Sequence, residues 1–294
     1  MRKRLPIRRS RAATFSRFAG VVAIPVVVIG ALLHRGGHID STALFAILAV
    51  GFALALVAVA AGVGALAAVW RDGARGTGAA IRGLFFGLIA LSPAIVVAGA
   101  AIYYPRLTDV STDLETPPKL ALSKGDTKPG GHLRPQVQRA AYPDIVPRRF
   151  PVGTAQLYRA VEQVIKERGW TIAAHLAPAM NDDPAAIQIE THSLVLGFVD
   201  DVTVRILPDP IGARLDIRSA SRTGAHDLGV NARRIRDLLA SVDAVLTEAY
   251  GITEVQESDT APVEVLPDDF DKPAEPEIPV PGDKPQSGDP AVSG

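Results

Sequence analysis

Three long stretches without a charged residue dominate the first third of the chain. They run from Phe18 to Leu33, from Ala43 to Val69 and from Gly83 to Ile102. A helix needs roughly 20 apolar residues to cross a hydrocarbon core of about 30 Å. The second and third stretches reach that length, and the polar residues that flank the first can extend it by snorkelling. The pattern predicts a membrane domain of three transmembrane α-helices over residues 18–104.

The first stretch has a second interpretation, as a secretory signal peptide with a basic n-region and an apolar h-region. No small-x-small cleavage site precedes the polar loop that begins Leu33-His34-Arg35-Gly36-Gly37. We therefore favour a helix that is retained in the mature protein.

Arginine and lysine alternate in density between the ends of these stretches. Residues 1–17 form a strongly basic N-terminus, the loop after the first stretch has only Arg35, and the next loop has Arg71, Arg75 and Arg82. Positive residues accumulate on the cytoplasmic side of a membrane. We expect a multi-pass protein of a bacterial inner membrane, with a cytoplasmic N-terminus and a periplasmic C-terminal domain.

The stretches themselves contain no Asp, Glu, Lys, Arg or His. Ion-coupled carriers usually keep such groups at bilayer depth, so the helices are predicted to be an anchor in the lipid bilayer rather than a transport pathway. Small residues recur four apart in Gly83-x-x-x-Gly87 and Ala58-x-x-x-Gly62. Such spacing allows close approach of helices, for example in a weak homodimer, but we favour the alternative that stretches so rich in alanine and glycine show it by chance.

The second half alternates between apolar and polar positions with the periods of short strands and amphipathic helices. Residues 105–146 show no sustained period and are predicted to be a linker. Residues 147–252 are predicted to form a two-layer α+β domain of one helix, four antiparallel strands and a second helix, with both helices on one sheet face. The other face is polar, or is covered by the linker. The expected elements are a helix over Thr154–Arg168, strands over Trp170–Leu176, Ala186–Ser193, Phe198–Leu207 and Ala213–Ser219, and a helix over Asp227–Tyr250 with Asp227 as its N-cap.

Composition removes several classes of function. The formal net charge is zero, so no overall positive field recruits nucleic acid, and the chain has no cysteine for disulfides, thiolate catalysis or a cysteine metal site. Residues 253–294 are acidic and rich in proline, which predicts a disordered tail. We expect no cofactor.

Three blocks of sequence resemble a known family. They are Gly197-Phe198-Val199-Asp200-Asp201-Val202, the run from Ile217 to Gly224, and the run from Asp227 to Ile235. In this order they are similar to the signature of the domain-of-unknown-function 1499 family, over roughly Pro105 to Tyr250. The resemblance implies a domain boundary and a location at membranes, and it implies no reaction.

A polar corner between the last strand and the last helix is the main candidate site. Its hydroxyls, guanidiniums and free backbone N–H groups have the chemistry of an anion cradle. The alternative, which we favour, is a structural network in which Asp200 and Asp201 pair with the arginines while Asp227 caps the helix. The residues of this ligand-binding or structural network are Asp200, Asp201, Arg205, Arg218, Ser219, Ser221, Arg222, Asp227, Asn231 and Arg234.

Two kinds of catalytic site are weaker alternatives at the same corner. A metal could bind one aspartate with His192 or Glu190, but Asp200 and Asp201 point to opposite faces of a strand and no full ligand set can be named. A hydrolase needs a nucleophile, a base and a carboxylate, and the chain has no Gly-x-Ser-x-Gly turn. The sequence thus favours a binding or structural module, with an anionic small molecule or envelope component as the ligand considered. A membrane-tethered enzyme, with a hydrolase as its least improbable class, remains the alternative.

Overall fold

The computed structural model describes residues 10–120, 132–180, 182–193 and 195–251. The tail that we predicted to be disordered, 253–294, lies outside the described residues, as do the first nine residues of the basic N-terminus.

Three long helices make up the N-terminal part: α1 (Arg11–Arg35), α2 (Ser41–Asp72) and α3 (Thr77–Tyr103). Each is long and apolar enough to cross a membrane, which confirms the three predicted apolar helices. The boundaries follow local chemistry, because the carboxylate of Asp40 accepts a hydrogen bond from the Ala43 N–H at 2.9 Å at the start of α2. At the other end of α2, Gly73 adopts a left-handed conformation with φ of 65° and stops the helix.

The helices pack through their small residues. A Cβ added at Gly20 would lie 2.8 Å from the carbonyl oxygen of Gly83, and one at Gly83 would lie 2.5 Å from the carbonyl carbon of Ser16. The Ser16 hydroxyl donates a buried hydrogen bond to the carbonyl of Ala58 at 2.7 Å. The structure therefore uses both small-residue motifs within the chain, since Ala58, Gly62, Gly83 and Gly87 are all buried between the helices.

The C-terminal part is an antiparallel sheet with helices packed on it. Its elements are β1 (Asp109–Ser111), α4 (Pro135–Ala141), β2 (Arg148–Phe150), α5 (Thr154–Glu167), β3 (Thr171–Leu176), β4 (Ala185–His192), β5 (Val199–Asp209), β6 (Gly212–Ser221) and α6 (Val230–Tyr250). The strand order is β1-β6-β5-β4-β3, and β2 pairs with the same edge of β6 as β1 does.

The prediction of four strands was wrong, because the described residues contain six. Strands β1 and β2 are three residues long, which is too short to show an alternating pattern, and each is stabilised by its pairing with β6. Strand β1 and helix α4 lie inside residues 105–146, where we predicted a linker.

The predicted start of the last helix was also too early. Helix α6 begins at Val230, and its N-cap is Gly229 rather than Asp227. Leu228 and Gly229 have φ values of 54° and 75°, and a left-handed backbone cannot continue as an α-helix.

The hydrophobic core lies between α5, α6 and one face of the sheet, as the amphipathic patterns predicted. Helix α5 contributes Leu157, Val161, Val164 and Ile165, and α6 contributes Ile235, Leu238, Leu239, Val242 and Leu246. From the sheet come alternate residues of the three central strands: Ala185, Ile187, Ile189, Val202, Val204, Ile206, Ala213, Leu215 and Ile217.

The polar face of the sheet is covered by residues 112–120, which we call the strap. Its Pro118 carbonyl accepts a hydrogen bond from Arg218 at 3.0 Å, and its Lys119 carbonyl accepts one from Thr203 Oγ1 at 3.2 Å. These partners belong to β6 and β5, so the strap crosses the sheet. Of the two alternatives for this face, the structure has the one in which the segment between the helices and the domain covers it.

Candidate functional site

The predicted corner residues divide into two networks on opposite faces of the sheet. Asp200 and Asp201 follow one another in β5, and their side chains therefore point to opposite sides. Asp200 faces the helices, where Arg234 Nη2 donates to its Oδ2 at 2.5 Å. Asp201 faces away, where Arg222 Nη2 donates to its Oδ1 at 2.5 Å.

The helix-side network ties the start of α6 to β6. Arg234 Nη1 donates to the oxygens of Ser219 and Asn231, each at 2.8 Å. The Ser219 hydroxyl donates to Asn231 Oδ1 at 2.7 Å, and Asn231 Nδ2 donates to Ser221 Oγ at 3.2 Å. The side chains of this network, those of Asp200, Ser219, Ser221, Asn231 and Arg234, are each at most 9% exposed. Because buried polar groups are costly when unpaired, this mutual satisfaction is what allows them to lie beneath the helix.

Asp227 caps the turn that leads into α6. Its two carboxylate oxygens accept hydrogen bonds from the backbone N–H groups of Gly229 and Asn231, at 3.0 and 3.2 Å. Burial raises the pKa of Asp227 above its ordinary value, although these hydrogen bonds act in the opposite direction. An anion placed at this helix end would meet the Asp227 carboxyl group, and the backbone N–H groups of residues 228–231 already have partners.

The second network lies on the strap side of the sheet. Arg222 donates to both oxygens of Asp201, at 2.9 and 2.5 Å, and to Glu190 at 2.6 Å, so it joins the ends of β4, β5 and β6. The hydrogen bonds to Asp201, and then that to Glu190, raise the pKa of Arg222 although burial lowers it. Arg218 forms a two-pronged pair with Asp109 of β1, at 3.0 and 2.7 Å.

Further along the same face, two arginines share two aspartates. Arg205 and Arg214 both donate to Asp216 Oδ2, at 2.7 and 3.0 Å, and both donate to Asp113 Oδ2 of the strap, at 3.0 and 3.1 Å. Burial raises the pKa of Asp113, but hydrogen bonds from Thr116 and Glu115 and the charge of Arg205 outweigh it, and the pKa lies below its ordinary value.

The four arginines on this face are therefore all paired with carboxylates of the domain. The four guanidiniums of Arg205, Arg214, Arg218 and Arg222 are bound to five carboxylates, those of Asp109, Asp113, Glu190, Asp201 and Asp216. Such an arrangement fastens the strap and the four strands β1, β4, β5 and β6 to one another. It offers no unpaired guanidinium of these four for an anionic ligand.

The groups considered for catalysis are not assembled into a reacting set. The Ser219 hydroxyl is bound to Asn231 and Arg234. His226 accepts a hydrogen bond from the Leu228 N–H at its Nδ1, and its Nε2 donates to the carbonyl of Tyr104. Both ring nitrogens are thus used for structure. Within the part of the chain that the structure describes, no group of three or more His, Asp or Glu side chains converges as a metal site would require.

A cleft of about 370 Å³ opens between the strap, α4 and the segment before β2. Its lining combines Asp113, Glu115, Gln138, Arg139 and Arg214 with the ring of Tyr142 and neighbouring prolines. Gln138 is fully engaged, because its amide donates to the Ser111 carbonyl at 2.6 Å and accepts from the Ser111 N–H at 3.1 Å. Gln138 therefore joins α4 to β1 at the edge of the cleft.

The domain also contacts the ends of the apolar helices. At the end of α3, the ring of Tyr104 lies against the start of α6, where a Cβ on Gly229 would be 2.5 Å from Tyr104 Cδ1. Arg233 donates to the Tyr104 hydroxyl at 3.3 Å. Between α1 and α2, His34 and Phe45 contact Phe198 of the domain, with ring centroids 5.0 and 5.9 Å apart.

Residues 109–242 match the model of a family described as "Protein of unknown function (DUF1499)". This part of the chain is a DUF1499 domain. The match begins at the first residue of β1 and ends within α6, and it thus includes the strap and both networks. The DUF1499 domain starts inside the segment that we predicted to be a linker, because β1 and the strap are part of its sheet layer.

The chain is also similar to a solved structure, the X-ray crystal structure of protein MLL2253 from Mesorhizobium loti. The two are 12% identical, and the match covers 35% of this chain and 96% of that chain with a TM-score of 0.27. A likeness at this level carries no inference about fold or function. No curated protein matches the chain.

Sequence reasoning missed the strap-side partners Asp109, Asp113 and Asp216, and it missed the contacts of Tyr104 and His34. Asp109 and Asp113 lie in a segment without periodicity, so nothing marked them as sheet partners. Alternation of charge along β6, where Arg214, Asp216 and Arg218 share one face, was the available signal that this face is an ionic layer.

Proposed function

We propose that the chain is a multi-pass membrane protein that holds its DUF1499 domain against the membrane surface as a structural or binding module. One observation carries the proposal. The ionisable side chains of the corner are bound to one another, while the domain's outward-facing loops contact the ends of the apolar helices at both Tyr104 and Phe198. The arrangement resembles a scaffold more than a reaction centre.

The proposed orientation places the N-terminus in the bacterial cytoplasm and the domain in the periplasm. The arginine and lysine distribution supports it, with the basic residues 1–17 on one side and only Arg35 in the first loop on the other. The domain contacts the C-terminal ends of α1 and α3, which lie on the same side of a three-helix bundle.

An exported reporter enzyme tests this orientation. We expect activity when the reporter follows residue 251, and no activity when it replaces the chain after Arg75, in the loop between α2 and α3. The reverse pattern would contradict the proposed topology.

Recognition of an anionic envelope component is the binding role we considered first, and the geometry disfavours it at the corner. The arginines have carboxylate partners and Asp227 occupies the donors of the helix start. A membrane-tethered hydrolase is disfavoured because Ser219 and His226 are engaged in separate hydrogen bonds. We therefore propose a module that acts through its surface shape and its position on the helix ends, without a reacting group at the corner.

Arg222→Ala and Asp201→Ala separate a structural corner from a binding site. Both side chains are at most 14% exposed, and breaking such a pair leaves an uncompensated charge. We expect each change to lower the free energy of unfolding by about 3 kcal/mol. The double variant should lose less than the two single losses combined, with a coupling of about 0.5–3 kcal/mol.

Chemical unfolding of the full chain in detergent measures these values. Lys166→Ala is the matched control, because its ion pair with Glu162 is exposed and is expected to contribute at most about 0.5 kcal/mol. If the variants at Arg222 and Asp201 unfold like the wild-type protein, the pair is not structural. The corner would then again be a candidate binding site.

A further inference from the structure

The turn between β4 and β5 lies against the ends of two apolar helices. We define it by its described residues, Ser193 and 195–198. His34 Nδ1, in the last turn of α1, donates to the carbonyl of Leu196 at 2.6 Å. The ring of Phe198 lies 5.9 Å from that of Phe45 at an interplanar angle of 29°, close to a stacked arrangement. The turn is thus joined to both helices that flank the first loop.

Its depth can be estimated from the helix geometry. Phe45 is the fifth residue of α2, which begins at Ser41. At a rise of about 1.5 Å per residue, Phe45 lies roughly 6 Å along the helix axis from its polar end. Phe45 is also within the charge-free stretch and is 49% exposed on the outside of the bundle. Phe198 therefore reaches the level at which α2 begins to face lipid.

The exposed part of the turn is apolar. Val195 is 77% exposed, and its neighbours Leu196 and Phe198 are partly exposed. Gly197 has a φ of 74°, and a Cβ there would lie 3.1 Å from Arg35 Cα, so only glycine allows this approach to α1 without strain. An exposed valine at the boundary of the apolar helices has lipid as its natural neighbour.

The backbone N–H groups of Ser193, Gly197 and Phe198 are bonded within the turn, which lowers the cost of placing this backbone beside lipid. The Ser193 N–H donates to the Phe198 carbonyl at 2.8 Å, and the Gly197 N–H donates to the Ser193 carbonyl at 3.0 Å. The Phe198 N–H donates to Ser193 Oγ at 2.9 Å. These bonds leave the apolar side chains free to enter an apolar environment without exposing the backbone N–H groups of Gly197 and Phe198.

We propose that the β4–β5 turn inserts Val195 and its apolar neighbours into the headgroup region of the bilayer. It would act as a second membrane contact that orients the DUF1499 domain. The inference rests on the proposed function, in which α1, α2 and α3 span the membrane. Apolar side chains of surface-bound segments enter about 5–10 Å into this region. Phe45, which the turn contacts, lies roughly 6 Å along α2 from its first residue.

A single-cysteine probe tests the insertion. The chain has no cysteine, so Val195→Cys creates a unique labelling site at an exposed position. The full chain is labelled with an environment-sensitive fluorophore and reconstituted into vesicles of phosphatidylcholine and phosphatidylglycerol. We expect a blue-shifted emission and about twofold quenching by lipids that carry a nitroxide near the headgroup.

Ile211→Cys is the matched control. Ile211 is 60% exposed in the turn between β5 and β6, at the other end of β5 from Phe198. An 11-residue strand is about 36 Å long at roughly 3.3 Å per residue, so this probe lies far from the β4–β5 turn. It should show neither the blue shift nor the quenching.

Val96→Cys, at a 69% exposed position of α3, reports separately on the membrane helices. If the probe at Val96 is quenched and the probe at Val195 behaves like the one at Ile211, the insertion is overturned. The proposed function then still stands. No quenching at Val96 would overturn the membrane span and the insertion together. A blue shift at Val195 without lipid quenching would mean that protein covers the turn, and would also overturn the insertion.

Discussion

Gly229 meets two constraints that a larger side chain cannot satisfy together. Its φ of 75° is left-handed, and the ring of Tyr104 occupies the space that a Cβ would need. Leu228 before it also has a positive φ, of 54°, which costs a non-glycine residue about 1 kcal/mol. The start of α6 is thus a strained turn that Asp227 and Tyr104 hold in place.

Gly229→Ala tests the close approach against the backbone effect. We expect the free energy of unfolding to fall by about 2–4 kcal/mol, from a left-handed alanine and a clash with Tyr104. Gly251→Ala is the matched control at the other end of α6, with a φ of 63° and nothing within 4 Å of its Cβ position. It should lose only about 1 kcal/mol. Equal losses, measured by chemical unfolding in detergent, would show that Tyr104 does not press on this site.

Asp113 makes the attachment of the strap dependent on pH. Its pKa is lower in the folded protein than the ordinary value of 3.8, so its ionised form stabilises the fold. That stability is fully present above pH 3.8 and is lost as the pH falls through the lower folded-state pKa.

Asp113→Asn should remove this dependence. We expect the variant to be less stable than the wild-type protein at neutral pH, because Arg205 and Arg214 lose a shared carboxylate. The difference in stability should shrink as the pH falls below about 3.8. Thermal unfolding at a series of pH values measures it, and a difference that stays constant down to low pH would contradict the role of the Asp113 charge.

At the scale of elements, glycines allow the apolar helices to pack closely, whereas ion pairs join the strap and β1 to the rest of the sheet. Gly20 of α1 faces Gly83 and Gly87 of α3, and side chains there would fill space that backbone occupies. In the domain, β1 and the strap are joined to β6 through Asp109 and Asp113. Apolar helices have little hydrophobic drive to associate within lipid, so close packing decides their arrangement.

Gly83→Ala tests this packing. A Cβ at Gly83 would lie 2.7 Å from the backbone nitrogen of Arg17, so α1 and α3 must separate to admit it. We expect a loss of about 1–3 kcal/mol in the unfolding of the helical part in detergent. Gly99→Ala in the same helix has nothing within 4 Å and should leave stability unchanged or raise it by up to about 1 kcal/mol, because alanine favours the helix. A neutral Gly83→Ala variant would mean that the two helices are farther apart.

At the scale of the whole molecule, the DUF1499 domain is seated on the helix ends at two separate places. Tyr104 meets the start of α6, and His34 with Phe45 meets the β4–β5 turn. Phe198 is outside the main hydrophobic core, so it contributes to this seating more than to the stability of the domain.

Phe198→Ala should loosen the domain on the helices without unfolding it. Loss of the aromatic pair removes about 0.5–1.5 kcal/mol of interaction beyond the buried area. Spin labels at Val63→Cys in α2 and Ile211→Cys in the domain are expected to give a broader distance distribution in this variant. Leu176→Ala, at the far end of β3 from the β4–β5 turn, is the control and should leave the distribution unchanged. An unchanged distribution in Phe198→Ala would show that the ring does not hold the domain.

Much of the architecture is local and can be read from the chain alone. Charge-free stretches of helical length identified α1, α2 and α3, because length and apolar composition can be read directly from the sequence. Alternation identified β3 to β6, and the stripe of Ile235, Leu238, Val242 and Leu246 identified the buried face of α6. These patterns need no partner to be visible, because each reflects a residue's own choice between apolar and aqueous surroundings.

Only the tertiary structure decided what depends on pairing between distant segments. Strand β1 exists because β6 has a free edge, and Asp113 became a sheet partner because the strap crosses the sheet near Arg205 and Arg214. The sequence indicates the corner residues as one candidate set, but their division into two networks depends on which arginine reaches which carboxylate. The hydrophobic pattern depends on each residue by itself. An ion pair or a strand pairing depends on two residues that are distant in sequence, and only the fold determines which two residues meet.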